Sequence, residues 1–176
     1  MQRETIDISN KNESLERWQS LLKDRFHTVD DLLLYLKLNA SQVLDADRHD
    51  STFPLFVPRC YVDKMNKGDP NDPLLLEILP RKIERVKKMG FTVDPLDEQA
   101  NNPVSGLLHK YKGRVLLTLN GACAVHCRYC FRRHYPYPKA TLDSDFTAKW
   151  LDYINKTTDV DEVIFSGGDS LMLPDA

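Results

Sequence analysis

Val115-Leu-Leu-Thr-Leu119, Cys123-Ala-Val-His-Cys127-Arg-Tyr-Cys130 and Glu162-Val-Ile-Phe-Ser166, the last closing on Gly167-Gly168, decide the fold class. The first is a continuous apolar run that suits a strand buried on both faces. The third is a second strand. Between them Asp143 or Ser144 can cap a helix whose buried side includes Phe146, Trp150 and Ile154. Strand, loop, helix, strand is a βαβ unit, which implies a parallel sheet and a right-handed crossover. The predicted class is α/β. Two parallel strands cannot bury both faces of a sheet. The pattern therefore reads as the first unit of a larger α/β protein, cut short at Ala176.

Upstream the texture is helical and punctuated by proline. From Glu13 to Phe26, the residues Leu15, Trp18, Leu21, Leu22 and Phe26 share one helical face. Thr28-Val-Asp-Asp31 reads as the cap of a helix through about Lys37, burying Val29, Leu32, Leu33 and Leu36. A further helix is expected from Pro58 to Gly68, and another from Asp72-Pro73 over Leu74 to Leu79. Gly90 and Asp94-Pro95 break the pattern again. This half offers no evident catalytic cluster.

Composition excludes several classes. With 41% hydrophobic and 28% charged residues the chain is of the soluble globular kind. A formal net charge of −2 supplies no basic field for nucleic acid. No apolar run approaches the roughly 20 residues of a membrane span. Met1-Gln-Arg-Glu-Thr-Ile-Asp7 is too polar for a signal peptide. A cytoplasmic protein is expected, with no membrane or nucleic-acid partner.

Three of the four cysteines lie within eight residues, which in a reducing compartment favours metal over disulfides. The C-x3-C-x2-C spacing supplies three close thiolates, enough to hold three irons of a [4Fe–4S] cluster and leave the fourth open. An open iron can chelate the amino and carboxylate groups of S-adenosylmethionine (SAM) and pass an electron to its sulfonium. Zinc is the competing reading. It wants four ligands in paired spacings, so His126 or His134 would have to complete the set. Gly167-Gly168 is either a plain turn or a place where backbone meets a ligand. Cys60, without a neighbour of its kind, reads as a small buried hydrophobe.

Larger words now match a known family. Gly106-Leu-Leu-His-Lys-Tyr111, Arg114-Val-Leu-Leu117, Cys123 to Tyr137, and Phe165-Ser-Gly-Gly-Asp169 resemble the lysine 2,3-aminomutase family of radical SAM enzymes. Within it they resemble the branch that makes β-lysine for elongation factor P. Val57-Pro-Arg59, Gly68-Asp-Pro-Asn-Asp-Pro-Leu-Leu75 and Asp94-Pro-Leu-Asp-Glu-Gln99 extend the resemblance upstream. It implies a helical region over 1–105 and, over 106–176, the start of a partial (β/α) radical SAM barrel.

The resemblance implies three cofactors: a [4Fe–4S] cluster, SAM and pyridoxal 5′-phosphate (PLP). It implies an isomerase that turns L-lysine into β-lysine through a PLP aldimine and a 5′-deoxyadenosyl radical, the cofactors carrying the chemistry. Cys123, Cys127 and Cys130 would hold the cluster, and Gly167 and Gly168 would meet SAM. Arg132 would receive the substrate carboxylate, a task suited to a planar bidentate donor. Lys110, Tyr111 and Arg114 would cradle PLP; apart from the resemblance these cations read as a solvated basic edge. Arg128, Arg133 and His134 would stand behind the ligands or beside SAM. Expected partners are lysine, an electron donor of the flavodoxin or ferredoxin kind, and a second copy of the chain. The alternatives are an aminomutase for another amino acid and a non-catalytic iron–sulfur fragment. The acids that select the lysine ammonium and the lysine that binds PLP match no residue here.

Overall fold

A computed structural model describes residues 18–49, 52–137 and 144–173. Chain contacts gather Met1–Val86 with Ala124–Arg128 into one unit, and Lys87–Cys123 with Tyr129–Ala176 into another.

In the first unit, Thr28 caps the helix α1 (Val29–Tyr35) by accepting from Asp31 N at 3.1 Å. Val29, Leu32, Leu33 and Leu36 turn into the core, as the spacing predicts. Lys37 ends the helix with φ +57°. Its N–H reaches Leu34 O at 3.1 Å, and Leu38 N reaches Leu33 O at 2.9 Å. This is a Schellman stop with lysine in glycine's usual place, closed by buried Leu38. The strand β1 (Arg25–Phe26) pairs antiparallel with β2 (Val57–Pro58), which leads into α2 (Arg59–Val62). Arg59 ties these pieces together. Its guanidinium lies over the Phe26 and Tyr35 rings at 4.9 and 4.8 Å and pairs with Asp24 at 2.9 Å. Buried Asp72 caps α3 (Pro73–Ile78), accepting from Leu74 N and Leu75 N at 2.9 and 3.2 Å. It also takes Asn66 N at 2.9 Å, joining the preceding turn to the cap.

In the second unit, β3 (Leu107–Tyr111) turns through Gly113, at φ +81°, into β4 (Gly113–Asn120). β4 runs parallel to β5 (Val160–Gly167), with Leu116 opposite Ile164 and Leu117 opposite Phe165. Between them stands α4 (Ser144–Lys156), so the βαβ unit is present. Leu107, Val115, Leu117 and Trp150 form the core, with Phe146, Tyr153 and Ile154 packed around them. Trp150 Nε1 donates to Ser105 O at 2.9 Å, and His109 Nδ1 and Tyr153 Oη lie 2.9 Å apart. Alternation along a strand gives the sheet a second face, carrying Leu108, Lys110, Arg114, Leu116, Ile164 and Ser166.

Several expectations change. The helix from Glu13 ends at residue 23, because Phe26 is drawn into β1 to bury its ring; Leu21 is exposed, and residues 13–17 lie outside the described ones. The helix expected from Pro58 to Gly68 is only Arg59–Val62, followed by turns. The first unit is thus built on short helices and a two-stranded ribbon. Cys60 is exposed on α2, not buried. The antiparallel β3 went unread, and it makes the sheet mixed. Among the described residues there are two small sheets and no barrel. Asp143, one candidate cap of α4, lies outside them. No described helix is long and apolar enough to cross a membrane.

Candidate functional site

The second face of the sheet forms one wall of a pocket of about 240 Å³ within the second unit. Lys110, Tyr111 and Arg114 line it from the β3–β4 hairpin, Leu116 and Ile164 from the sheet, and Glu98 and Arg132 from flanking loops. Four residues singled out from the sequence therefore meet at one concavity. The hairpin does this: Tyr111 and Arg114 are register partners across its turn. Lys110 sits one residue earlier, and its ammonium donates to Leu96 O. Arg114 pairs with Glu162 at 3.3 Å, both half-exposed, so the cation is partly neutralised.

Arg132 is the most constrained of the four. It is buried, and its Nε and Nη2 form a fork on the Glu98 carboxylate, the shortest contact being 2.6 Å. Nη1 donates to Ser166 Oγ at 2.9 Å. Burial works against the guanidinium charge, but Glu98 outweighs it and holds the pKa above its ordinary value. Glu98 is fixed in turn by Asp94, whose two carboxylate oxygens accept Glu98 N and Gln99 N, each at 2.9 Å. Those N–H groups hold the Asp94 carboxyl below the usual range. Close by, burial pushes the Tyr135 and Tyr137 phenols up. Sequence reasoning missed Glu98 and Ser166 as members of this site. Both stood in quoted family words, Asp94 to Gln99 and Ser-Gly-Gly-Asp, with no role attached.

Gly167 and Gly168 lie at the end of β5 against the backbone that leaves β4. A Cβ on Gly167, at φ +133°, would stand 2.3 Å from Asn120 O; one on Gly168 would stand 2.2 Å from Ala122 O. Gly168 N and Asp169 N donate to Asn120 O and Ala122 O, both at 2.7 Å. The pair is required for close backbone packing where the cysteine loop starts.

None of the four cysteines is in a disulfide, and the three of the loop are partly exposed. In kind and number the loop's donors fit an iron–sulfur cluster. Among the described residues no group of three His, Cys, Asp or Glu side chains is poised to hold a metal ion. His126 Nδ1 faces Pro54 O at 3.0 Å, and His134 is exposed. For PLP, the pocket presents two cations and a phenol, donors that suit a phosphate and a ring.

No protein-family model matches the chain. Individual relatives do. An L-lysine 2,3-aminomutase of Escherichia coli strain K12 is 45% identical over 163 residues, covering 92% of this chain and 47% of the relative. One from Haemophilus influenzae is 41% identical over 160 residues, 91% of this chain and 47% of the relative. By sequence, the chain is a relative of the L-lysine 2,3-aminomutases. The likeness reaches distant members, including the enzyme of Clostridium subterminale at 31% identity over 96% of this chain and 40% of the relative. The chain thus spans about half the length of the relatives it matches, and their shared name is that of an isomerase.

Proposed function

We propose that this chain is part of a radical SAM lysine 2,3-aminomutase that converts L-lysine to β-lysine, for the modification of elongation factor P. The observation that carries the reading is the single pocket where Lys110, Tyr111, Arg114 and Arg132 meet. The names of the relatives support the reaction class, and the sequence resemblance supports the elongation factor P branch. When bound, the [4Fe–4S] cluster and SAM supply a carbon-centred radical, and PLP supplies conjugation through which an amino group can migrate.

This chain's residues bind and orient. Cys123, Cys127 and Cys130 donate the thiolates of the cluster. Lys110, Arg114 and Tyr111 would hold PLP, the two cations suiting its phosphate. Arg132, pre-oriented by Glu98 and Ser166, presents its pocket edge to the substrate carboxylate. Glu98 and Asp94 keep that guanidinium from turning, so substrate meets a donor already in place. Gly167 and Gly168 bring the end of β5 against the start of the loop, where they would meet SAM. The reading also calls for a one-electron donor of the flavodoxin or ferredoxin kind.

Anaerobic reconstitution with iron and sulfide, followed by electron paramagnetic resonance of the reduced chain with and without SAM, tests it. A [4Fe–4S] signal altered by SAM is expected. No cluster, or one indifferent to SAM, overturns the reading.

A further inference from the structure

Cys127 lies between two residues that do no visible metal chemistry and are both tied down. On one side, His126 N donates to Phe56 O at 3.0 Å; on the other, Arg128 N donates to Glu77 O at 2.7 Å. The flanking peptides are therefore fixed from both directions. The side chains are fixed as well. The His126 ring stacks on Phe53 at 4.8 Å and 15°, and meets Phe56 at 5.2 Å. Arg128, with 7% of its side chain exposed, forks onto Glu84, with 2.6 Å at the shortest contact. Its Nη1 donates to Phe53 O at 2.6 Å, and its guanidinium lies over the Phe53 ring at 5.0 Å. Val125 packs on the core of the same unit.

We propose that His126 and Arg128 are positioning residues for Cys127: they clamp its backbone to the 53–56 segment, Glu77 and Glu84, and neither ligates metal. The proposal rests on the cluster reading above. Its physical content is entropic. A loop already fixed on both sides of a ligand loses less freedom when metal binds. It also gives the first unit a task, to hold one thiolate donor in a set direction. His126 thereby leaves the zinc ligand set, since its ring is used as an aromatic plate.

The test uses the full chain, loaded with iron and sulfide, and reads iron released to a chelator together with the visible spectrum of the cluster. Glu84→Gln/Arg128→Met removes the clamp without leaving a buried unpaired charge, and the glutamine can still accept Arg81 N. Iron release about tenfold faster than in the unmodified chain, with apo-protein melting unchanged, is expected. His126→Phe keeps a ring between the two phenylalanines and should release iron like the unmodified chain; His126→Ala should release it faster. Unmodified rates in both the double variant and His126→Ala overturn the proposal. So does loss of iron in His126→Phe equal to that in His126→Ala, which would make His126 a ligand. Should the double variant fail to fold, the two His126 variants decide alone. If the unmodified chain takes up no iron, the cluster reading falls and this inference with it.

Discussion

Two buried arginines four residues apart each fork onto a glutamate, Arg128 onto the partly buried Glu84 and Arg132 onto the buried Glu98, yet the two pairs belong to different units. Both are forked and both have a 2.6 Å contact. Their third partners differ. Arg128 gives Nη1 to a backbone carbonyl, Phe53 O, and so pins chain to chain. Arg132 gives Nη1 to a hydroxyl, Ser166 Oγ, and lines the pocket. The same chemical unit closes a loop in one place and holds a binding group ready in the other. Burial and geometry alone do not separate these uses; what the remaining donors face does.

The largest effect that breaks the comparison is removal of one partner. Glu98→Ala strands a buried guanidinium and should cost about 3–5 kcal/mol in urea unfolding. The milder Glu98→Gln/Arg132→Met should stay near the unmodified stability, because no buried charge is left alone. That double variant should lose affinity for L-lysine in a titration of the PLP-loaded chain and keep its iron; the matching change at Glu84 and Arg128 should do the reverse. If both double variants lose the same property, the two pairs have one role.

Next come the glycines. Gly168→Ala, with its Cβ 2.2 Å from Ala122 O, should cost about 1–3 kcal/mol as the loop is pushed off β5. An unchanged melting temperature would mean that the backbone yields freely there. In the first unit, Asp72→Ala should cost about 1 kcal/mol through loss of the cap on α3. Burial raises the Asp72 pKa, but N–H donors from Asn66, Leu75 and Leu74 outweigh it and leave a net depression. A depressed folded-state pKa gives stability that is full above the unfolded value, near 3.9, and is lost as pH falls through the folded value. Asp72→Asn should therefore flatten the acid limb of a melting-temperature profile; an identical acid limb refutes this. The smallest effect is at the exposed Arg114–Glu162 pair. Glu162→Gln should change stability by less than about 1 kcal/mol and tighten PLP binding by freeing the cation. Weaker binding would place Glu162 among the useful contacts.

Much of this was legible. Thr28, Asp72-Pro73 and the period of Val29, Leu32, Leu33 and Leu36 announce their helices, because caps and one-sided packing are local signals. The apolar runs of β4 and β5 and the intervening Trp150 announce the βαβ unit. β3 was not legible: Leu107-Leu-His-Lys-Tyr111 is short and half polar, and only pairing with β4 makes it a strand. Phe26 misled for a related reason, since it continues a helical period but buries better on a two-residue ribbon. At the site, Cys123, Cys127 and Cys130 stand out by residue type and spacing, whereas Arg132 stands out only through the family resemblance. Glu98 and Ser166 become meaningful only once the chain brings them within reach of Arg132 from 34 residues away on either side.

β5 pairs with β4 along one edge, and among the described residues the other edge has no partner strand. Val163 and Phe165 on it are 40% and 64% exposed. Open peptide groups beside apolar side chains are a template for any extended segment that drifts past. In a test tube the consequence is practical: concentration, time and temperature will govern how long a solution of this polypeptide stays clear. Light scattering belongs beside every spectroscopic measurement on it, so that turbidity is not mistaken for colour.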